Sequence, residues 1–111
     1  MNFIRVNSYT QMLNNMYTDR LHRKHAIVKF YKNNCVPCTS LSKKLEERSH
    51  IDVDVYEVYH PDNKHISRMF GVRVLPTAVF FKDGMPIRRL DGMKEADNFL
   101  YFVEETVAET S

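Results

Sequence analysis

A three-layer α/β/α sandwich around a central mixed sheet, in the order β α β α β α β β α, is the α/β fold that this sequence predicts. Three observations predict it. Short β-branched and aromatic runs alternate with stretches of helical periodicity, a pattern that makes parallel strands joined by crossover helices. The last two strand-like runs flank Asp83-Gly84, a hairpin signature, so the sheet gains an antiparallel edge. The chain has 111 residues with no internal repeat, low-complexity tract or Pro/Gly/Ser-rich linker, so residues 1–111 form one domain; half that length could not enclose its own core.

Each element has a local reason. Phe3, Ile4 and Val6 supply a short first strand. Ser8-Tyr9-Thr10-Gln11 has the form of a capping box, and Tyr9, Met12, Leu13, Met16 and Tyr17 follow at helical spacing. Ala26-Ile27-Val28-Lys29-Phe30-Tyr31 is an apolar run with one charge inside, the mark of a buried strand. It leads through Asn33-Asn34 to Cys35 and a helix with a buried stripe of Cys38, Leu41 and Leu45, while Lys43, Lys44, Glu46 and Glu47 face water. Ile51, Val53 and Val55 alternate with Asp52 and Asp54 and predict a third strand. Pro61 and Asp62 start a helix that turns Ile66, Met69 and Phe70 inward and stops at Gly71. Residues 77–81 and 87–90 are the hairpin strands, with Met85 and Pro86 lengthening the turn. A last helix from about Lys94 buries Phe99, Leu100 and Val103, with Glu95 and Asp97 in its first turn, where the helix dipole favours anions.

Composition excludes several function classes. Sixteen Lys and Arg against 14 Asp and Glu give a net charge of +2, and these residues are scattered, which is no phosphate-tracking surface; nucleic acid is not an expected partner. The 43% hydrophobic content can fill a core, and no apolar run approaches the roughly 18 residues of a membrane span. The first residues, Met1-Asn2-Phe3-Ile4-Arg5, show no secretory leader, so the expected location is the cytoplasm.

The chain's two cysteines sit together as Cys35-Val36-Pro37-Cys38, too few for a disulfide scaffold and well placed for reversible disulfide chemistry. Cys35 falls at a helix N-terminus, where unpaired N–H groups and the dipole favour a thiolate. Cys38 follows one turn inside, and Pro37 is tolerated because the first turn needs no N–H from it. Thiolate activation alone contributes little. A thiol is roughly 3% ionised at pH 7 with a pKa of about 8.5 and half ionised at about 7, yet nucleophilicity falls with basicity, so the net gain is about three- to fourfold. A better leaving group and an intramolecular second exchange count for more. A zinc site competes poorly: there is no second cysteine pair, and His22, His25, His50, His60 and His65 offer no spacing that completes four ligands. No metal is expected.

The sequence resembles thioredoxin over nearly its whole length. The resemblance is carried by Ile27-Val28-Lys29-Phe30-Tyr31 running into Cys35-Val36-Pro37-Cys38, by Phe70-Gly71-Val72-Arg73-Val74-Leu75-Pro76-Thr77, by Phe80-Phe81-Lys82-Asp83-Gly84, and by Gly92. It implies the thioredoxin fold and dithiol–disulfide exchange with protein substrates, using no cofactor beyond the Cys35–Cys38 disulfide. Carried over by position, Cys35 is the attacking nucleophile and Cys38 the resolving thiol. Pro76 matches the family's cis-proline, which leaves the backbone of Val74 and Leu75 open to pair with an extended substrate, and Gly92 matches a glycine of the substrate-facing surface.

Three departures stand beside the resemblance. Asn34 replaces the Trp usual before the first Cys, Tyr31 stands where a second Trp is common, and the chain has no Trp at all; Val-Pro replaces Gly-Pro between the cysteines. The family's buried Asp, six positions before the nucleophile, is Lys29 here. Counting back from Pro76, its usual lysine partner is Glu57, which continues the apolar face of Ile51, Val53 and Val55. Lys29 and Glu57 are therefore expected either as a charge-swapped pair beneath Cys38, tuning or relaying its proton, or as two side chains reaching solvent at the sheet ends.

The expected activity is that of a monomeric protein-disulfide reductase acting on disulfide-bearing proteins and recycled by an enzyme such as thioredoxin reductase. An adaptor that uses the fold only as a binding surface, supported by the missing Trp and Asp, and a glutaredoxin-like activity are the alternatives.

Overall fold

The computed structural model describes residues 1–18 and 25–109. Its strands are β1 (Asn2–Arg5), β2 (His25–Tyr31), β3 (Asp54–Tyr59), β4 (Thr77–Lys82) and β5 (Met85–Asp91). Its α-helices are α1 (Tyr9–Thr18), α2 (Val36–Glu47), α3 (Lys64–Met69) and α4 (Ala96–Glu109), with a 3₁₀ turn over His60–Asp62. The sheet order is β1-β3-β2-β4-β5. β1, β3 and β2 are mutually parallel, whereas β4 runs antiparallel to β2 and to β5. This is the expected mixed sheet.

The alternation of side chains across each strand builds two cores. Ile27, Val55, Ala78, Phe80 and Leu90 meet Leu41 and Leu45 of α2 and Phe99, Leu100 and Val103 of α4. On the opposite face Val28, Phe30, Tyr56, Val58 and Val79 meet Met12 and Met16 of α1 and Ile66 of α3. The α2 stripe is as its periodicity predicts: Cys38, Leu41 and Leu45 are buried. Each fully buried leucine contributes about 1.5–3 kcal/mol, which fixes α2, and the cysteines it carries, against the sheet. Ser8 also begins α1 as expected, its Oγ accepting from the Gln11 N–H at 3.2 Å.

Five details differ from the sequence reading. The third strand starts at Asp54, so Ile51 and Val53 precede it; their N–H groups bond to Arg48 and Ile51 carbonyls while their side chains still enter the core. β3 lies between two parallel neighbours and under helices on both faces, so Asp54, Val55 and Tyr56 are all buried and the in–out alternation fails there. Met69 is 61% exposed rather than inward, because the 3₁₀ turn shortens α3 to six residues and only Ile66 and Ser67 are buried on it. The hairpin turn is a tight Asp83-Gly84 pair with φ of 53° and 80°, and Met85 and Pro86 pair with Lys82 and Phe81 inside the ladder. Pro86 is tolerated because β5 is an edge strand, and a bulge between Phe80 and Phe81 follows it. The last helix begins at Ala96, preceded by Glu95, whose carbonyl accepts from the Phe99 N–H. Asp97 in its first turn receives a 2.7 Å bond from Lys44, and that bond and charge hold its carboxyl below the usual carboxylate range.

Candidate active site

β2 delivers the chain to the cysteine pair, and two local features set the corner. Asn34 adopts φ 54°, a left-handed conformation that Asn accepts more readily than most side chains, and so turns the strand toward α2. Cys35 is the N-cap, with extended backbone, and its Sγ accepts from the Cys38 N–H at 3.3 Å. Pro37 occupies the first turn, where no intrahelical N–H is required. Cys35 and Cys38 form a disulfide with Cα atoms 5.2 Å apart. Cys35 is half-buried and Cys38 only 5% exposed, so the two residues differ in access. Val36 beside them is 80% exposed and presents an apolar surface next to the reactive bond.

Beneath this turn the structure brings Lys29 and Glu57 together. They are direct register partners on β2 and β3, and Lys29 Nζ lies 2.9 Å from Glu57 Oε2. The Lys29 side chain is 3% exposed and the Glu57 side chain 29%. Lys29 Nζ also donates to Ser42 Oγ at 3.1 Å and sits 5.4 Å from the Tyr31 ring centroid. Ser42 lies four residues after Cys38 on α2, on the same helix face, so the ion pair meets α2 one turn beyond Cys38. The resemblance pointed to the pair as one of two expected arrangements. It gave no sign of Ser42, whose role depends on side-chain reach between a helix and a strand.

The Leu75–Pro76 bond is cis, and Pro76 is buried. Phe30 pairs with Thr77 across the β2 and β4 ladder, so the proline loop lies at the same end of the sheet as the cysteines. Val74 is 43% exposed. Its carbonyl accepts from Thr77 Oγ1 at 2.6 Å, so that backbone is less open than expected, with one lone pair already in use. Among the described residues, nothing hydrogen-bonds to the Val74 N–H or to the Leu75 N–H and C=O. Gly92 has φ 77° and donates its N–H to the Pro76 carbonyl at 2.8 Å. A Cβ there would meet nothing within 4 Å, so the glycine is required by its backbone and leaves an open surface beside the proline.

The histidines have other surroundings. His25 is buried and stacked on Phe80, His60 bonds to Ser67, and His50 to Glu104, while His22 lies outside the described residues. Among the described residues no three His, Cys, Asp or Glu side chains gather as metal ligands, and no helix is long and apolar enough to cross a membrane.

A family model described as a thioredoxin-like domain matches residues 15–106. A thioredoxin-like protein of Synechocystis is 33% identical over 76 residues, 66% of this chain and 72% of that protein. Thioredoxin of Mycobacterium tuberculosis is 34% identical over 74 residues, and the match spans 64% of either chain. Among solved structures, a thioredoxin mutant from Halobacterium salinarum superposes with a TM-score of 0.78 at 25% identity, covering 94% of this chain and 89% of that one. Reduced Schistosoma mansoni thioredoxin gives 0.80 over 95% and 98% of the two chains; at 16% identity this shows likeness of fold.

Proposed function

The chain belongs to the thioredoxin family and is a thiol–disulfide oxidoreductase whose redox group is the Cys35–Cys38 disulfide itself, and on that premise we propose that it reduces disulfides in other proteins. One observation carries this reading. A half-buried N-cap cysteine is joined to a buried partner at the sheet end that also presents the unpaired Val74 N–H and the unpaired Leu75 N–H and C=O. Reduced Cys35 attacks one sulfur of a substrate disulfide as thiolate; that S–S bond breaks, the first substrate thiolate leaves and takes up a proton, and a mixed disulfide remains. Cys38 then gives up its proton and attacks Cys35 Sγ, expelling the second substrate thiolate and closing Cys35–Cys38. Two electrons pass to the substrate, and a separate reductase returns them. We propose a cytoplasmic location with it, since in that reducing compartment a cysteine pair is catalytic rather than structural. In a thiol redox buffer, with alkylated thiols followed by mass spectrometry, the midpoint potential is expected near about −270 mV; a value near about −120 mV identifies an oxidant and overturns the direction.

Glu57 is the group assigned to take the Cys38 proton. The Lys29 ammonium has donors only, whereas the Glu57 carboxylate accepts, lies in the pair that meets α2 one turn beyond Cys38 and reaches water with 29% of its side chain exposed. Glu57→Gln is therefore expected to slow release of the mixed disulfide about tenfold or more at pH 7, at the low end of the range for one acid–base group. The gap narrows above about pH 8.5, where an ordinary thiol ionises unaided. Superimposable pH profiles for parent and variant rule out the relay.

A further inference from the structure

The segment that would receive substrate, residues 72–76, is fastened at both flanks to the end of one strand. At its N-terminal side α3 closes with the Gly71 N–H bonded to Arg68 O and the Val72 N–H to Ser67 O, Gly71 having φ 65°. The carbonyls of Phe70 and Gly71 fall outside that cap. Arg89 of β5 takes them both, Nη1 donating to Phe70 O and Nη2 to Gly71 O at 2.9 Å. Its Nε donates to the Asp91 carboxylate at 3.0 and 3.1 Å, so the guanidinium plane is fixed from the opposite side. At the C-terminal side, Asp91 is the register partner of Thr77, and Gly92 donates to Pro76 O at 2.8 Å. Asp91 Oδ1 also lies 3.4 Å from Thr77 Oγ1; the single hydroxyl proton goes to Val74 O at 2.6 Å, the shorter contact.

We propose that Arg89 and Asp91 are positioning residues which hold residues 72–76 in a fixed conformation for an incoming polypeptide, and so set how well the enzyme takes protein disulfides relative to small ones. This rests on the reductase reading above. Neither side chain lies in the cysteine pair or the Lys29 and Glu57 pair; both act on the loop alone. Arg89 is 36% exposed, where an ion pair contributes little to overall stability, so its effect is on the loop's geometry. A small disulfide needs only to reach Cys35 and makes no strand-like pairing with Val74 and Leu75. A protein substrate does, and a loosened loop must be ordered anew at each encounter.

The test compares insulin with 5,5′-dithiobis(2-nitrobenzoate) as substrates of the parent, Arg89→Met, Arg89→Lys and Asp91→Asn. For Arg89→Met the insulin KM is expected to rise about five- to tenfold with kcat within twofold, while the small disulfide is reduced within twofold of the parent rate. Arg89→Lys, with no fork to span two carbonyls, falls between. Equal losses on both substrates, or no change on either, overturn the proposal. Backbone ¹⁵N order parameters of residues 72–75 give a readout that needs no redox activity: they are expected near about 0.85 in the parent and to fall toward about 0.6 in Arg89→Met. Unchanged order parameters sink the clamp even if turnover shifts. A parent that reduces neither substrate sinks the reductase reading and leaves the clamp to be judged by the order parameters alone.

Discussion

Cys35→Ser is expected to abolish disulfide turnover, by about a thousandfold or more, because serine's hydroxyl neither ionises near neutrality nor exchanges with a disulfide sulfur. The chain has no third cysteine to substitute, and Cys38, 5% exposed, cannot meet a protein substrate directly. Cys38→Ser should behave differently. Its Cys35 can still attack once, and the mixed disulfide then accumulates, since resolution by an external thiol loses the effective molarity, of order 10⁵–10⁸ M in well-oriented cases, that the neighbouring sulfur provides. Intact-mass spectrometry after mixing with a disulfide-bearing protein reads the trapped adduct, and an insulin-reduction assay with dithiothreitol reads turnover. A Cys35→Ser variant as active as the parent would leave only a binding module built on this fold.

The second large effect concerns stability and is asymmetric. Lys29 is almost wholly buried, and its ammonium is balanced by Glu57 and Ser42. Glu57→Ala leaves that charge in the interior without its counter-ion, for which about 3–5 kcal/mol is typical. The lower end applies here because Ser42 Oγ remains. For a domain of this size that corresponds to a melting temperature roughly 10–20 °C lower. Lys29→Met removes the buried ion and fills the space with an apolar chain, while the carboxylate left behind can turn to water. Its cost should be clearly the smaller of the two, since the penalty for breaking a pair comes from an uncompensated charge left inside, and the Glu57 side chain, 29% exposed, is not sealed from water. Chemical denaturation of both variants checks the asymmetry; equal losses would mean that burial does not govern the pair.

Why some of this was legible in the sequence and some was not has a physical basis. The stripe of Cys38, Leu41 and Leu45 follows from the 3.6-residue period alone. Lys29 and Glu57 could be paired because the resemblance puts them where the family has a buried Asp and its lysine partner, and Glu57 continues the apolar face of its strand; the β2–β3 register makes them direct partners. The start of β3 misled because alternation signals a half-buried strand, whereas this one is covered on both faces and Asp54 is drawn inside. Pro86 suggested a longer turn; its lack of an N–H in fact marks an edge. Arg89, Asp91 and Ser42 were unreadable, since their partners are fixed by tertiary approach and not by spacing along the chain.

That edge has a consequence for solution behaviour. A sheet margin invites another chain to extend it wherever a straight row of amide donors is left bare. β5 offers Pro86, which has no such donor, a local kink, and the adjacent cations Arg88 and Arg89. At the opposite margin β1 is only four residues long. Two copies approaching side by side thus find little to zip onto, and concentrated samples should resist fibril growth from the native state.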